Sequence, residues 1–483
     1  MRRPVFGSRV SFVFSPGPAA RKGRAADGNG LRTRMRRQDH HGRARDAEAP
    51  RSENSIRSAR LRRILSLAVF VALLGSAAPG IAGEGPTKFS VAPDGRLFKD
   101  GQPYFFIGMA PGPRIDLKTP EGGDGWAELA AGGVNVVRGG VQGNAQAPGC
   151  AEPFEKYLDV ARAHGMFVWP YLSEMVDLRR PGMRQRLVEF VTTYRKHPAV
   201  MFWKSADEPE WGKWPVEPLR EAYELIHELD PNHPVWFCHA PRGTLETLRP
   251  YNVACDILST DIYPVSEPAG KHSLLPNKGL SMVGDYTKRM VELAEGKKMV
   301  FMVLQVGWSG VDPKHDPRNR LMFPTFREER YMMYQAIICG ARSLSFFGMP
   351  VGLTGRDAEL GWNWTYWRAV LRPLLAEIRQ GSELYPVLIA PDSNYPLRFT
   401  GAPRIEARWK EAGVYLYIFA AAREGQTQTV RFSGLQDGEV VVLHENRTLC
   451  ATDGGFTDVF AAHDVHIYRA LRRMPPASAP AKR

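Results

Sequence analysis

The sequence predicts an α/β protein, a (β/α)8 TIM barrel with a small C-terminal antiparallel β-sandwich domain. Over residues 84–390, short apolar segments alternate with amphipathic ones, as in a parallel sheet whose strands are connected by helices. Eight strand–helix units in about 300 residues is the number that closes such a barrel. Over residues 392–472 the helical pattern stops, and strand-length segments separated by turn residues predict the antiparallel domain.

The predicted barrel strands are short apolar runs that end close to polar or aromatic side chains. They are Tyr104–Met109, Val134–Arg138, Met166–Leu172, Val200–Ser205, Val235–His239, Ile257–Ile262, Val300–Val306 and Ser343–Phe347. The segment before them, with a turn at Asp94-Gly95, is typical of a β-hairpin that closes the bottom of the barrel. A doubly wound open sheet is the alternative, but it would need a glycine-rich phosphate loop after the first strand, which the residues following Gly108 do not form.

The charge of the chain is concentrated in a leader. The 483 residues carry a net charge of +13, and residues 1–63 hold 17 basic against 5 acidic side chains. The remaining 420 residues hold 47 basic and 46 acidic side chains, so no nucleic-acid partner is expected for the folded part.

The first 83 residues have the composition of a targeting segment. Residues 1–60 are rich in Arg, Gly, Ala and Pro and are predicted to be a disordered basic leader. Residues 61–83 combine a basic flank, an apolar run at Ile64–Leu74 and a small-residue exit, as in a signal peptide, and an upstream misassigned start, with Met35 as one candidate, would explain the long leader. The run is too short for a stable membrane anchor. We therefore expect a secreted or periplasmic protein, with a disordered tail at 473–483.

No cofactor or metal site is predicted. Five scattered cysteines without a CxxC pair indicate neither a disulfide framework nor a zinc site, although pairing of Cys238 with Cys255 stays open. The sequence contains no HExxH, P-loop or GxGxxG motif.

The side chains that follow the predicted strands indicate a carbohydrate partner. Active sites of (β/α)8 barrels lie at the carboxyl ends of the strands. Carboxylates there can bind sugar hydroxyls, and aromatic faces can stack on sugar rings. The candidates are Arg138, Glu174, Asp207, Glu208, His239, Asp261, Tyr263, Gln305 and Trp308, with Trp362 and Trp364 from the segment after the last strand.

The most specific motif is HPAVMFWKSADEPEW, residues 197–211. A helix stops at Pro198, a buried strand follows, and Asp207-Glu208-Pro209 emerges at the rim. This segment resembles the fourth strand of clan-A glycoside hydrolases, in which an Asn-Glu-Pro triplet carries the acid/base Glu. GGVNVVR at the second strand and GWNWTYW after the eighth are similar to the clan as well. The resemblance covers about residues 89–470 and implies a glycosidase in which Glu208 is the proton donor.

One position departs from the clan. Retaining members end the seventh strand with a nucleophilic Glu, but Gln305 stands there, and a neutral amide does not readily form a glycosyl ester. An inverting hydrolase is favoured, with Glu208 as acid and Asp261 or Glu174 as base, about 6.5–9.5 Å apart. The alternatives are substrate-assisted hydrolysis of a 2-acetamido sugar oriented by Asp207, and a carbohydrate-binding barrel without turnover.

The other candidates are assigned to substrate binding. Arg138 would orient Gln305 or a hydroxyl, or form a salt bridge in the barrel mouth. Trp308, Trp362 and Trp364 would be sugar platforms, with core packing as the alternative.

Two further assignments come from the fifth and sixth strands. His239 would bind a hydroxyl, although a lone histidine is more often structural. Asp261 and Tyr263 lie on the same side of an extended chain, with a strand-ending turn at Pro264 as the alternative.

Overall fold

The computed structural model describes residues 85–139, 154–271, 273–307, 322–348, 362–401 and 403–473. An antiparallel sheet of β1 (Phe89–Val91), β2 (Leu97–Lys99) and β3 (Gln102–Tyr104) comes first. Eight parallel strands follow: β4 (Ile107–Ala110), β5 (Val136–Gly139), β6 (Phe167–Pro170), β7 (Trp203–Asp207), β8 (Val235–His239), β9 (Ile257–Asp261), β10 (Met299–Gln305) and β11 (Leu344–Phe347).

Helices connect and flank these strands. The α-helices are α1 (Gly125–Gly132), α2 (Phe154–Ala163), α3 (Met183–Tyr194), α4 (Val216–Leu229), α5 (Leu245–Leu248), α6 (Met282–Ala294), α7 (Phe326–Cys339), α8 (Trp362–Tyr366), α9 (Arg372–Ala376) and α10 (Tyr385–Leu388). Two 3₁₀ helices, Ser173–Val176 and Arg249–Ala254, and a π-helical turn, Trp367–Leu371, complete the described helical segments.

The eight strands form a closed barrel. The hydrogen-bonded order is β6-β5-β4-β11-β10-β9-β8-β7, and the remaining gap between β6 and β7 is closed by parallel pairing. There the Val168 N–H donates to the Ala199 carbonyl (2.7 Å), and the Met201 N–H donates to the Val168 carbonyl (2.9 Å). The predicted TIM barrel is confirmed.

Aromatic side chains fill the barrel interior and form the floor of the space above it. Phe106, Trp169, Trp236 and Phe301 are almost completely buried, and their neighbouring ring centroids lie 4.9–5.8 Å apart, mostly edge to face. Such pairs stabilise a core by about 0.5–1.5 kcal/mol each beyond area burial. The barrel is therefore a packed core rather than a pore.

The N-terminal hairpin covers the opposite end of the barrel. Its turn has Gly95 at φ 76°, and the Gly95 N–H donates to the Ala92 carbonyl (2.9 Å). Phe89 packs at 5.1 Å from Phe167 and donates its backbone N–H to Asn232 in the loop before β8. Tyr104, which we predicted to begin the first barrel strand, pairs with Leu97 in the hairpin instead.

Two antiparallel sheets form the C-terminal domain, which confirms the predicted β-sandwich. One sheet contains β12 (Arg398–Thr400), β15 (Gln428–Ser433) and β18 (Gly455–Phe460); the other contains β13 (Ile405–Ala412), β14 (Tyr415–Ala422), β16 (Leu435–Val442), β17 (Arg447–Ala451) and β19 (Val465–Arg472). Helix α7 packs against β13 and β14, and Arg423 pairs with Asp285 of the barrel (2.7 Å).

The predicted leader, signal peptide and most of the tail, residues 1–60, 61–83 and 474–483, lie outside the described residues. In the described part, no helix is both long and apolar enough to cross a membrane. Cys238 and Cys255 are both free thiols.

Candidate active site

The carboxyl end of β7 is distorted in a way that turns two consecutive acids toward one cavity. Lys204 pairs with Trp236, but Asp207 pairs with Cys238, so β7 has one extra residue, as in a β-bulge. Glu208 follows with φ 45° and donates its backbone N–H to the Cys238 carbonyl (2.8 Å). Because this left-handed conformation is unfavourable for a non-glycine residue, the fold must hold Glu208 in place, as is common at functional sites.

The cavity lies at the carboxyl ends of the barrel strands and has a volume of about 340 Å³. Both charged and aromatic side chains line it. The described lining residues are Ala110, Arg138, Trp169, Lys204, Asp207, Glu208, Trp211, Trp236, Cys238, Pro241, Arg242, Asp261, Tyr263, Val303, Ser345 and Phe347. This mixture can accommodate a molecule with many hydroxyls and some apolar surface.

Glu208 and Asp261 are neighbouring carboxyls that both line this cavity. Burial, followed by the charges of Asp261 and Asp207, raises the pKa of Glu208 to about 8. Burial and the charge of Asp207 raise the pKa of Asp261 to about 6, against a hydrogen bond from Tyr263 that lowers it. At neutral pH Glu208 therefore keeps its proton, while Asp261 is ionised.

Asp207 is anchored by a buried lysine. The Lys204 Nζ donates to the Asp207 Oδ1 at 2.6 Å, and only 4% of the Lys204 side chain is exposed. Lys204 also lies over the rings of Tyr171 (4.6 Å) and Trp236 (5.1 Å). The ammonium group thus neutralises one of the three acids and leaves Glu208 and Asp261 as the titrating pair.

Two arginines and several rings complete the walls. Arg138 lies between the rings of Tyr171 (5.9 Å) and Phe347 (5.7 Å), and Phe347 is stacked on Tyr263 with ring centroids 5.8 Å apart. Arg242 lies 4.2 Å over the ring of Trp211. Arg138 and Tyr263 are therefore at the cavity, together with Asp207, Glu208 and Asp261.

The Gln305 side chain forms hydrogen bonds with backbone groups and is not oriented toward Arg138 or a substrate. It is completely buried. Its Oε1 accepts from the Val265 N–H (3.0 Å), and its Nε2 donates to the carbonyls of Val265 (2.7 Å) and Met322 (3.1 Å). An amide can donate and accept at once, whereas a carboxylate can only accept. The structure therefore gives a local reason for glutamine here.

Glu174 and His239, like Gln305, are not among the residues that line the cavity. Glu174, the alternative base, lies on the 3₁₀ helix after β6, has 66% of its side chain exposed and pairs with Arg180 (2.6 Å). His239 is completely buried on the outer face of β8, between the rings of Phe237 (5.0 Å) and Tyr251 (6.2 Å). Burial lowers the pKa of His239 to about 3, so it is a neutral core residue.

The predicted tryptophan platforms also differ from the observed ones. Trp364 is 8% exposed and belongs to the main hydrophobic core. Trp308 and the side chain of Trp362 lie outside the described residues. Trp211, with 53% of its surface exposed at the cavity, is the more accessible ring.

The inverting arrangement that we favoured requires a particular spacing between the predicted acid and base. An inverting pair needs about 6.5–9.5 Å between the carboxyls. Glu208 and Asp261 lie close enough for the charge of Asp261 to raise the pKa of Glu208, and the inverting arrangement stays a prediction. Among the described residues, no group of three or more His, Cys, Asp or Glu is arranged to bind a metal ion.

Comparison with known proteins finds similarity at the level of solved structures alone. No protein-family model and no curated sequence match the chain. A solved glycoside hydrolase is 11% identical, with a TM-score of 0.48, over 80% of this chain and 97% of that chain. A glycoside hydrolase family 5 structure from Bacteroides vulgatus is 14% identical (TM-score 0.48; 82% and 96%), and an Anoxybacillus α-amylase is 12% identical (TM-score 0.46; 77% and 98%). The chemistry of this chain is therefore inferred from its own residues.

Strand alternation was the signal that sequence reasoning missed. In β8, Trp236 and Cys238 face the cavity, while Phe237 and His239 face outward, as the two-residue period of a strand requires. Applied to VWFCH, this period would have selected the tryptophan and excluded the histidine. No comparable sequence signal marks Arg242, which lies in a loop.

Proposed function

We propose that this chain is a glycoside hydrolase in which Glu208 donates the proton to the departing glycosidic oxygen. The observation that supports this most is the Glu208–Asp261 pair, a protonated carboxyl beside an ionised one in a partly closed cavity. A general acid works best when its pKa lies near the working pH. The aromatic floor and Trp211 would contact the apolar faces of the sugar.

The proposed reaction balances within the cavity. The Glu208 proton passes to the glycosidic oxygen, the bond from that oxygen to the anomeric carbon breaks, and water adds to the anomeric carbon. The proton released by water goes to an ionised carboxylate, Asp261 or Asp207. If Asp261 receives it, the proton can return to Glu208 within the same cavity.

The position of Asp207 keeps the substrate-assisted route open. Asp207 and Glu208 reach the cavity from consecutive positions, and Lys204 fixes the Asp207 carboxylate. A 2-acetamido group would then supply the nucleophilic carbonyl oxygen, with Asp207 orienting it. Faster cleavage of 2-acetamido glycosides than of their 2-hydroxy counterparts would support this route, and equal rates would exclude it.

A carbohydrate-binding barrel without turnover is the second candidate. It is favoured by Gln305, which stands where retaining members of the clan have their nucleophilic Glu and which is held by hydrogen bonds to backbone groups. Binding of glycans without any product release would select this candidate.

A panel of plant, microbial and amino-sugar glycans tests the proposal. The full chain should release product, and Glu208→Gln should lower the rate by about 10²–10⁴-fold because it removes the general acid. Glu155→Gln, an exposed carboxyl on α2, is the matched control and should keep the wild-type rate. Equal rates for wild type and Glu208→Gln would refute the acid assignment. The product anomer, measured by NMR, then distinguishes inversion from retention.

A further inference from the structure

Arg138 brings a charge into the cavity that none of the described acids neutralises. Its guanidinium lies between the rings of Tyr171 and Phe347, at 5.9 and 5.7 Å from their centroids. Within the described residues, no carboxylate lies at ion-pair distance from it. Aromatic faces attract a cation, but they do not cancel its charge. Arg138 therefore keeps its hydrogen-bond donors available to a ligand.

Arg242 places a second guanidinium at the mouth of the same cavity. It lies 4.2 Å over the ring of Trp211, whose surface is 53% exposed. In the described part of the chain, it too has no carboxylate at ion-pair distance. The two arginines differ in this respect from Lys204, whose ammonium is bound to Asp207.

Among the described residues that line the cavity, the balance of charges is positive in spite of three acids. Lys204 compensates Asp207, and Glu208 and Asp261 together hold one negative charge while Glu208 stays protonated. The guanidinium groups of Arg138 and Arg242 are always charged and exceed that single negative charge. Keeping an unpaired cation in a partly buried site is costly, so an anionic ligand would be stabilised there.

We propose that the sugar bound in this cavity carries an anionic group, a carboxylate or a sulfate, and that Arg138 is the specificity-determining residue that binds it. This inference rests on the proposed function and names its substrate class. The planar guanidinium can donate two parallel hydrogen bonds to either group. Arg242, at the mouth, attracts the same charge as the ligand enters.

Binding to the Glu208→Gln variant tests this inference without turnover. The probes are D-glucuronate, D-galacturonate and glucose 6-sulfate, each compared by calorimetry with the neutral sugars D-glucose and D-galactose. At least one anionic probe should bind about tenfold or more tightly than its neutral partner, as expected for one charge-assisted contact. Which probe binds best distinguishes a carboxylate from a sulfate.

Substitution of the arginine locates the contact. Adding Arg138→Gln to the Glu208→Gln variant should remove the preference, so that each anionic probe binds no more tightly than its neutral partner. Arg186→Gln, an exposed arginine on α3, is the matched control. Arg138→Lys keeps the positive charge but loses the planar guanidinium, and it should retain part of the preference for the anionic probe. A variant that had misfolded would retain none of it.

The outcomes separate the two proposals. Anionic sugars that bind no more tightly than neutral ones, or a preference that survives Arg138→Gln, would overturn the inference even if the enzyme hydrolyses neutral glycans. A preference that depends on Arg138, in a chain that hydrolyses no glycan, would support the inference and refute the hydrolase.

Discussion

Each end of the barrel contains a buried aspartate, and the two aspartates have opposite surroundings: hydrogen-bond donors at one end, other carboxyls at the other. At the hairpin end, Asp230 is 1% exposed, and its carboxylate accepts hydrogen bonds from Trp203 Nε1 (2.8 Å), His233 Nδ1 (2.6 Å) and the Asn232 N–H (3.1 Å). At the cavity end, Asp261 lies beside the carboxyls of Asp207 and Glu208.

This difference distinguishes a structural acid from a functional one. The fold surrounds Asp230 with donors, so its buried carboxylate is fully hydrogen-bonded in the native state. Burial and neighbouring acids raise the pKa of both Asp261 and Glu208, an arrangement that costs stability and is typical of functional sites. Substitutions at the two ends should therefore affect different quantities.

The largest expected effect is on stability at the hairpin end. Asp230→Ala leaves Trp203 Nε1 and the His233 ring without their buried acceptor, at about 1–3 kcal/mol for each group. We expect the free energy of unfolding, measured in urea, to fall by about 3 kcal/mol or more. A loss below about 1 kcal/mol would show that the carboxylate is not structural.

The matching substitution at the cavity end should act on activity. Asp261→Asn removes the ionised member of the pair, and we expect hydrolysis to fall by about 10²-fold or more. The free energy of unfolding should stay the same or rise, because the substitution removes a charge that burial disfavours. A large loss of stability with normal activity would reverse the assigned roles.

Gln305, like Asp230, is a structural residue, although it lies at the cavity end of the barrel. Gln305→Glu replaces an amide that donates to two carbonyls with a group that cannot donate. We expect a loss of about 1–3 kcal/mol in the free energy of unfolding and no gain in hydrolysis. A large increase in rate would instead identify a decayed retaining site.

The smallest expected effect is a pH-dependent change in melting temperature. Below pH 4.5 Glu208 is protonated in both the folded and the unfolded state. Between pH 4.5 and about 8 the unfolded state ionises first, so the raised pKa of Glu208 lowers stability as the pH rises. Relative to wild type, Glu208→Gln should therefore melt about 2 °C higher at pH 8.5 and at the same temperature at pH 4. An equal offset at both pH values would contradict the raised pKa.

The barrel was predictable because its signals are local and repeated. Each strand is a short apolar run such as VVR or VWFCH, and helices of ordinary length separate these runs. The segment ending at Glu208 could be placed at the rim because Pro198 and Pro209 bound the strand. The positions of Asp207, Glu208 and Asp261 at the rim follow from reading which residues come after each predicted strand.

The pairing of side chains across the cavity was not predictable in this way. The contact between Glu208 and Asp261 depends on an extra residue in β7 and on the positive φ of Glu208, which no composition or spacing encodes. The hydrogen bonds of Gln305 depend on where the loop carrying Val265 returns. Such long-range geometry is set by packing between distant segments.

The dependence of rate on the leaving group tests the role of Glu208 most directly. The measurement compares wild type with Glu208→Gln on aryl glycosides, from phenyl to 2,4-dinitrophenyl. If Glu208 protonates the departing oxygen, the substitution should slow the phenyl glycoside by about 10²–10⁴-fold and have little effect on the dinitrophenyl glycoside, which departs without a proton. A loss of equal size for both leaving groups would contradict proton donation by Glu208.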